Sequence, residues 1–506
     1  MIRNIASGIA AIAAALSLAS CNAAREATLQ AAAPRPASLV VTHVTVIDPE
    51  SRKVLPDHDV FIDGNRIVAV LPSSQASGFA AARTIDGTGK FAIPGLMDMH
   101  FHLFLPEPSA PSLNLLLANG VTGIREMSGD CWEAAGATEG CIQHYRLLRE
   151  QIRSGAVAGP DILGLASPMV MGPSRAQLPE GVPKFVVPPT PEDGRETVRR
   201  LHARGPNLIK THDSIPTAVF AAMTDEARRI GVEISGHVPF RAGALGAAKM
   251  GFRSIEHARD PLYDCSRYGP EFRRAEADFA DSVPGSKRPA NVVRLSRTVD
   301  EFDPALCDSF LRSLAATGAY YAPTHVTREM EAKAGDAAYR ADPNRKYILP
   351  ERHKRWEADL KDTAALPPAE LAALGNFFRH GLVVTGLAHR AGVPIMAGSD
   401  ANDTMIVPGF SLHRELGLLR QAGLGPMEVL RSATTVPAMY LGRTDIYGGI
   451  SPGKEADLVL LDANPLDSIG NSAGIFTVVS NGRVFGRAEL DALLAEVEAM
   501  ARAPSR

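Results

Sequence analysis

The stretch FAIPGLMDMHFHL, residues Phe91–Leu103, decides the fold of this chain. It ends on His100 and His102, and residues two apart in a β-strand point to the same face. Both imidazoles then face one point from a rigid strand, where they are good ligands for a borderline divalent metal such as zinc. Two histidines on the wet face of an amphipathic strand have the same spacing, so the rest of the chain must decide between these interpretations.

Seven further apolar runs follow, and helical patterns separate them. They are VTGIREM from Val121, DILGLAS from Asp161, LIKTHDS from Leu208, VEISGHVP from Val232, RSIEHA from Arg253, AYYAPTH from Ala319 and VPIMAGSDA from Val393. Strands that alternate with helices are typical of a parallel α/β fold, and eight of them predict a (β/α)8 TIM barrel over residues 93–442.

The segments between these strands contain predicted helices and two predicted insertions. Residues 217–230 have the pattern of an amphipathic helix, and residues 426–441 open on a proline, as helices often do. The charged segments 267–297 and 327–362 are longer than ordinary loops. We expect them to be insertions near the mouth of the barrel.

Strands rich in Val and Ile at both ends of the chain predict a second, smaller domain. LVVTHVTVID and HDVFIDGNRIVAVLP precede the barrel, and the sequence Asp63-Gly64-Asn65 is a strong hairpin signal. EADLVLLDANP and IFTVVSNGRVFG follow the barrel and have the same character. We therefore expect a composite β-sandwich of residues 38–92 and 443–490, with the barrel inserted between them.

The first residues indicate export rather than fold. Arg3 gives a positively charged start, and residues 5–19 are apolar but too short to span a bilayer comfortably. The sequence LASC, which ends at Cys21, is similar to the bacterial lipobox; it predicts a signal peptide over residues 1–20 and a lipid on the cysteine, with an ordinary cleaved signal as the alternative. Residues 21–37 are rich in Ala and Pro and predict a tether. We expect an exported, periplasmic, membrane-anchored lipoprotein of a Gram-negative bacterium.

Four further cysteines would then lie in an oxidising compartment. They are Cys131, Cys141, Cys265 and Cys307, and they allow three pairings. The first two form the most local pair, and the last two would bracket an insertion. Buried free thiols are the alternative, and the spacing does not match a metal site.

Length and composition limit the class of protein. The chain has 506 residues, of which 45% are hydrophobic and 22% charged, and this composition predicts a packed globular core. A net charge of -3 gives no basic surface for nucleic acid. We therefore expect no nucleic-acid partner.

Polar side chains stand where several predicted barrel strands end, which is where barrel enzymes have their active sites. Besides the first histidine pair, they are Lys210, His237, His257, His325 and Asp400. Each histidine alone is more often a hydrogen-bonded core residue, and a lysine is costly to bury as an ammonium. Together these residues predict a metal site.

The set HxH, Lys, His, His, Asp in this strand order resembles the amidohydrolase superfamily of metal-dependent hydrolases. PGLMDMHFH is similar to the first-strand signature of that family, GKEADLVLLDANPL resembles its return into the composite β domain, and the similarity covers most of the chain after residue 38. LIKTHDS, SGHVP, SIEHA and GFSLHREL resemble the imidazolonepropionase-like branch. That branch includes peptidases and dipeptidases that act on C-terminal or acylated amino acids.

The resemblance implies that six side chains hold two divalent metal ions, with zinc as the expected metal: His100, His102, Lys210, His237, His257 and Asp400. The first two histidines and the aspartate would bind the more buried ion, the other two histidines the more exposed one, and the lysine, as its carbamate, would bridge them. A hydroxide between the ions would attack the scissile carbonyl, with Asp400 as the proton shuttle. If the lysine is only a salt-bridged strand residue, the alternative is a site for a single zinc ion. Its ligands would be His100, His102, His237 and Asp400.

Several other residues are weaker candidates for contact with a substrate. His212 lies on the same strand face as the lysine, Tyr321 precedes His325 on its strand, and His325 itself would orient or polarise the substrate carbonyl. Arg125 and Arg241 follow strands, where either would clamp a carboxylate through two hydrogen bonds. A salt bridge at the rim of the barrel is the simpler role for each arginine.

These features together predict an enzyme that hydrolyses amide C–N bonds of small substrates such as dipeptides or N-acyl amino acids. A lactonase, an esterase or a cyclic-amide hydrolase would use the same site, and a surface lipoprotein that only binds ligands is the non-enzymatic alternative. Such a binding module would be expected to lack some of the ligand residues. The expected partners are a small amide or peptide substrate, the membrane through the lipid on Cys21, and a second copy in a homo-oligomer.

Overall fold

The computed structural model describes residues 35–103, 109–127, 138–172 and 186–503. The predicted signal peptide, Cys21, nearly all of the tether and Cys131 lie outside these ranges, as does the side chain of Cys141. Of the helices inside them, none is long and apolar enough to cross a membrane.

Both ends of the chain contribute to one mixed sheet of eight strands. The strands are β1 Arg35–Asp48, β2 Lys53–Asp63, β3 Arg66–Pro72, β4 Phe79–Asp86, β5 Phe91–Pro94, β13 Leu458–Leu461, β14 Ile475–Ser480 and β15 Arg483–Gly486. Their order is β15-β14-β13-β5-β1-β2-β3, and β4 pairs with β1. The two ends therefore build one β unit, but as a single hydrogen-bonded sheet rather than the two facing sheets of the predicted sandwich.

Seven short strands form two parallel sheets in the middle of the chain. They are β6 Leu96–Phe101, β7 Val121–Glu126, β8 Asp161–Leu165, β9 Leu208–Thr211, β10 Glu233–Gly236, β11 Phe252–Glu256 and β12 Tyr320–Ala322. One sheet has the order β6-β7-β8 and the other β12-β11-β10-β9. Their residues are almost entirely buried, as expected for parallel strands covered on both faces.

The regular ladders do not close into a barrel within the described ranges. Residues 393–401, the predicted eighth strand, form only the isolated bridges Tyr321–Ile395 and Phe101–Ala401, and a further bridge, Ala166–Leu208, links the two parallel sheets. Pro394 has no N–H to donate, and Asp400 leaves the extended conformation with a φ of 61°. Both features interrupt this segment as a strand.

Helices connect the parallel strands and cover them. They are α1 Ala110–Ala118, α2 Thr138–Arg153, α3 Pro191–Ala203, α4 Thr217–Ile230, α5 Gly243–Lys249, α6 Asp260–Asp264, α7 Gly269–Ala280, α8 Asn291–Asp300, α9 Pro304–Ala315, α10 His325–Lys333, α11 Ala337–Arg340, α12 Pro350–Ala364, α13 Pro368–Arg390, α14 Phe410–Gln421, α15 Pro426–Ser432, α16 Thr435–Tyr440 and α17 Arg487–Arg502. Short 3-10 helices cover Ser73–Gly78, Pro343–Tyr347 and Ile469–Ala473. The two predicted insertions are largely helical.

Two helix predictions had different outcomes. The helix predicted over 217–230 is α4, and Gly231 ends it in the left-handed conformation with a φ of 75°. The helix predicted over 426–441 is two helices, α15 and α16. The break falls at Thr434, whose φ of -139° and ψ of -80° are not helical.

A disulfide joins Cys265, just after α6, to Cys307 in α9. It confirms one of the pairings considered from the sequence, and the alternative of buried free thiols is wrong for these two residues. The cysteines are 42 residues apart, so the bond closes a long loop in the unfolded chain. Such a crosslink typically stabilises a fold by about 2–4 kcal/mol.

Candidate active site

The carboxyl ends of the parallel strands bring the predicted metal ligands into one buried cluster. His102 Nε2 lies 2.8 Å from Asp400 Oδ1, and His100 Nε2 lies 3.4 Å from the same oxygen. Lys210 Nζ, from strand β9, lies 3.2 Å from His100 Nε2. Four residues that are far apart in the sequence therefore turn their polar atoms to one point.

His237 and His257 form the second half of this cluster. They directly follow β10 and β11, and their Nε2 atoms lie 2.9 Å apart. His257 Nδ1 lies 2.9 Å from Thr324 Oγ1 and 3.5 Å from Asp400 Oδ2, which connects the two halves. We call the six predicted metal ligands, His100, His102, Lys210, His237, His257 and Asp400, the metal-binding cluster.

The backbone around this cluster is strained and closely packed. His257, Asp400 and Thr324 adopt positive φ angles of 70°, 61° and 45°. Non-glycine residues in that region cost roughly 1–3 kcal/mol each and are found mainly at functional sites. At Gly398, an added Cβ would lie 2.8 Å from His100 Cβ, so only glycine lets residues 393–401 pass this close to the histidine.

A charged pair beneath the cluster fixes the orientation of His100. The Nδ1–H of His100 donates to Glu256 Oε2 over 2.7 Å, and Arg125 Nη2 donates to both oxygens of Glu256 over 2.8 and 2.9 Å. Arg125 also donates to the Met99 carbonyl and to Ser254 Oγ. Because Nδ1 carries the proton, the lone pair of His100 Nε2 points into the cluster.

We predict that Glu256→Gln lowers the affinity for metal by about 10- to 100-fold, the usual cost of losing a partner behind a ligating histidine. The amide no longer accepts as a carboxylate and leaves the buried Arg125 charge without its counter-ion. Competition with a chelator of known affinity measures the change. Glu271→Gln, on an exposed pair with Arg297, is the matched control and should bind metal normally. Wild-type affinity in Glu256→Gln would show that the pair does not position His100.

Burial and neighbouring charges shift the pKa values of several of these side chains. Burial lowers the pKa values of His100 and His237 well below the usual value and that of His257 to about 3, so these rings are neutral. Burial acts to raise the pKa of Asp400, but its histidine neighbours, including the hydrogen bond from His102, lower it well below its usual range. The carboxylate is therefore ionised. Burial acts to lower the pKa of His102, whereas this same hydrogen bond with Asp400 raises it.

This donor set fits divalent metal ions. Ligand atoms of His100, His102 and Asp400 all lie within 4.8 Å of one another, and so do those of His212, Asp213 and His237. Nδ1 of His237 is buried and has no hydrogen-bond partner among the described residues. Imidazole nitrogens with a carboxylate are the combination that zinc prefers.

Of the residues predicted to contact a substrate, one lies beside the metal-binding cluster and two are buried against Thr385. His212 lies beside the cluster, with its ring 4.6 Å from that of His237. Tyr321 is buried and its hydroxyl accepts from Thr385 Oγ1 over 3.4 Å. His325 is the first residue of α10 rather than a strand end; it is buried, and its Nε2 lies 2.9 Å from the same Thr385 oxygen.

The structure does not support either arginine as a carboxylate clamp. Arg125 is fully buried beneath the cluster. Its guanidinium donates hydrogen bonds to Glu256, to Ser254 and to a backbone carbonyl. Arg241 lies at the surface and pairs with Asp278 and Asp281 of the segment around α7. The simpler role, a salt bridge, accounts for both.

Sequence reasoning missed three residues that contact or support the cluster: Glu256, Asp213 and Arg259. Glu256 precedes His257 in SIEHA, and Asp213 follows His212 in THDS. Asp213 accepts from Arg259 over 3.0 Å, and this guanidinium lowers the pKa of His237 further. For Glu256 the available signal was a charged residue in an apolar strand, the same signal that identified Lys210. Asp213 and Arg259 lie beyond the ends of strands β9 and β11 and gave no such signal.

Known proteins are similar to this chain over different lengths. An adenine deaminase of Chelativorans sp. (strain BNC1) is 38% identical over 87 residues, which is 17% of this chain and only 14% of that protein. An imidazolonepropionase of Caulobacter vibrioides (strain NA1000 / CB15N) is 27% identical over 429 residues, 81% of this chain and 88% of the relative. A prolidase solved in complex with N-methylphosphonate-L-proline has 24% identity and a TM-score of 0.62, and the superposition covers 89% of this chain and 99% of that one.

The last of these similarities shows a shared fold. The family evidence is broader, because the model of the amidohydrolase family matches residues 91–485. That range includes every member of the metal-binding cluster and the strands that position it. The chain therefore belongs to the amidohydrolase family.

Proposed function

We propose that this chain is a metal-dependent enzyme that hydrolyses C–N bonds of small substrates. The observation that carries the proposal is the metal-binding cluster, in which four imidazoles and an ionised carboxylate converge at the carboxyl ends of parallel strands. Membership of the amidohydrolase family supports it. Solved relatives of similar fold also support the view that the two parallel sheets and residues 393–401 are parts of one TIM barrel.

His100, His102 and Asp400 would hold one metal ion, and His237 and His257 a second. Lys210 would contribute as its carbamate, because carbamylation turns a buried cation into an anionic oxygen donor that two cations stabilise. We propose zinc, which suits this set of ligands. When bound, the ions would activate a water molecule and polarise the scissile carbonyl.

The proton transfer between the attacking water and the leaving nitrogen is assigned to Asp400. Asp400 is ionised and lies between the two halves of the cluster, so it is placed to accept a proton from the attacking water and to return it to the leaving nitrogen. Glu256 and Arg125 keep His100 in the correct tautomer. The burial of His325 gives no support for the predicted contact with a substrate carbonyl.

Dipeptides and N-acyl amino acids are the substrate class that we propose. A prolidase crystallised with a proline analogue and an imidazolonepropionase are both similar to this chain over most of its length. A panel of dipeptides, N-acyl amino acids, lactones and cyclic amides, assayed with the zinc-loaded protein, tests the proposal. Release of free amino acids supports it, and activity confined to lactones or cyclic amides would replace it with the alternative function.

We also propose that the chain is exported and anchored to a membrane by a lipid on Cys21. The similarity of LASC to a lipobox supports the lipid, and Arg3 followed by the apolar residues 5–19 supports export. Labelling cells with a radioactive fatty acid tests it: the full chain should incorporate label, and Cys21→Ala should not. Equal labelling of both proteins, or of neither, would contradict the anchor.

A further inference from the structure

One histidine of the metal-binding cluster is backed by a hydroxyl group. Nδ1 of His257 lies 2.9 Å from the hydroxyl oxygen of Thr324, a residue that is fully buried. Asp400, another member of the cluster, is farther from the same nitrogen, at 3.5 Å. The hydroxyl is therefore the nearer of these two partners, and it has no part in the proton transfer assigned to Asp400.

The other nitrogen of the His257 ring faces a second histidine. Its Nε2 lies 2.9 Å from Nε2 of His237, so the two imidazoles are close enough to share one ion. A nitrogen that binds a metal ion must offer its lone pair, and in a neutral imidazole the other nitrogen then carries the proton. Nδ1 of His257 would therefore donate to Thr324 Oγ1, as Nδ1 of His100 donates to Glu256.

Contacts on both sides of Thr324 fix its position relative to His257. Thr324 lies between β12 and α10, in the left-handed conformation with a φ of 45°. Before it, the carbonyl of Ala322, the last residue of β12, accepts from the backbone N–H of His257 over 2.8 Å. After it, the N–H of Val326 in α10 donates over 3.0 Å to Glu415, a fully buried residue of α14. A hydroxyl held in this way can fix the direction of an imidazole ring.

We propose that Thr324 is a positioning residue for the second metal ion. Its oxygen accepts the Nδ1 proton of His257 and keeps Nε2 of that ring turned toward His237, so the affinity for the ion that these two histidines share depends on it. The role rests on the proposed function, since it requires that the cluster hold two ions. Both partners of the contact are uncharged, so its loss leaves no buried charge without a counter-ion.

The stepwise zinc affinities of the stripped protein, measured by competition with chelators of graded affinity, test this role. Thr324→Val keeps the branched shape of the side chain and replaces the hydroxyl with a methyl group. We expect it to weaken binding of the second ion by about 10- to 100-fold, the usual cost of losing a partner behind a ligating histidine, and to leave the first ion unchanged. Thr324→Ser keeps the hydroxyl and should bind both ions as the wild type does. A general loss of stability would instead weaken the binding of both ions.

Thr298→Val is the matched control. Thr298 is fully buried in α8, where its hydroxyl donates to the Arg294 carbonyl over 2.6 Å, and its variant should bind both ions normally. Thr324→Ala removes the hydroxyl without adding bulk, so the test remains valid even if Thr324→Val does not fold. Unchanged affinities, or equal losses for both ions, in these two variants of Thr324 would overturn the positioning role alone. A wild type that binds fewer than two ions would overturn it together with the proposed two-metal site.

Discussion

Asp400→Asn is expected to lower kcat on the preferred amide substrate by roughly 10³-fold, within the range typical of a lost general acid–base group. Asparagine keeps the shape of the side chain, but it accepts no proton from the attacking water and is a poorer metal ligand. The ionised carboxylate of Asp400 lies 2.8 Å from His102 Nε2 and 3.5 Å from His257 Nδ1, so few other groups reach both halves of the cluster. Steady-state kinetics with metal content measured on the same sample check the prediction.

Asp308→Asn is the matched control for this experiment. Asp308 is an exposed aspartate that pairs with Arg312 in α9, far along the chain from the cluster. Its variant should keep wild-type kcat and metal content. Near-normal kcat in Asp400→Asn would remove the proton-shuttle role, whatever its metal content.

Lys210→Ala is expected to have the next largest effect, because the proposed second metal ion depends on the lysine carbamate. Lys210 is almost completely buried, and its Nζ lies 3.2 Å from His100 Nε2. We expect elemental analysis to fall from two metal ions per chain to one, and kcat/KM to fall by about 100-fold or more. In the wild type, ¹³C-labelled bicarbonate should give a carbamate signal in the NMR spectrum.

Two further variants separate this effect from a loss of stability. Lys354→Ala, at an exposed lysine paired with Glu351, should change neither metal content nor activity. Lys210→Met keeps most of the buried volume and should lose the second metal ion as Lys210→Ala does. One metal ion per chain in the wild type, together with full activity in Lys210→Ala, would establish the single-zinc alternative.

The sequence alone predicted the main parts of the cluster because their signals are local. A polar residue at the end of an apolar strand is costly to bury without a function, and parallel strands place their carboxyl ends together. His100, Lys210, His237 and His257 all follow this rule, and the structure brings them together with Asp400.

The roles of Arg125 and Glu256 could not be predicted in this way. Their pairing joins strands β7 and β11, which are more than a hundred residues apart in the chain. In addition, every residue of β7 is buried. Without an exposed face on this strand, the alternation of buried and exposed residues could not decide where Arg125 points.

The prediction of a closed barrel met a similar limit. The apolar run from Val393 has the composition of a strand, but Pro394 and the left-handed Asp400 leave it only isolated bridges. At Asp400, the backbone conformation serves the cluster rather than the sheet. Local propensity predicts regular elements best where no functional residue imposes its own geometry.

The most direct test of the central claim is the dependence of hydrolysis on metal content. Purified protein is stripped with a chelator and then titrated with zinc, while metal per chain and the rate of amide hydrolysis are followed together. We predict that activity disappears on stripping and returns in proportion to zinc, reaching its maximum at two ions per chain. Full hydrolytic activity in the stripped protein would contradict a metal-dependent mechanism.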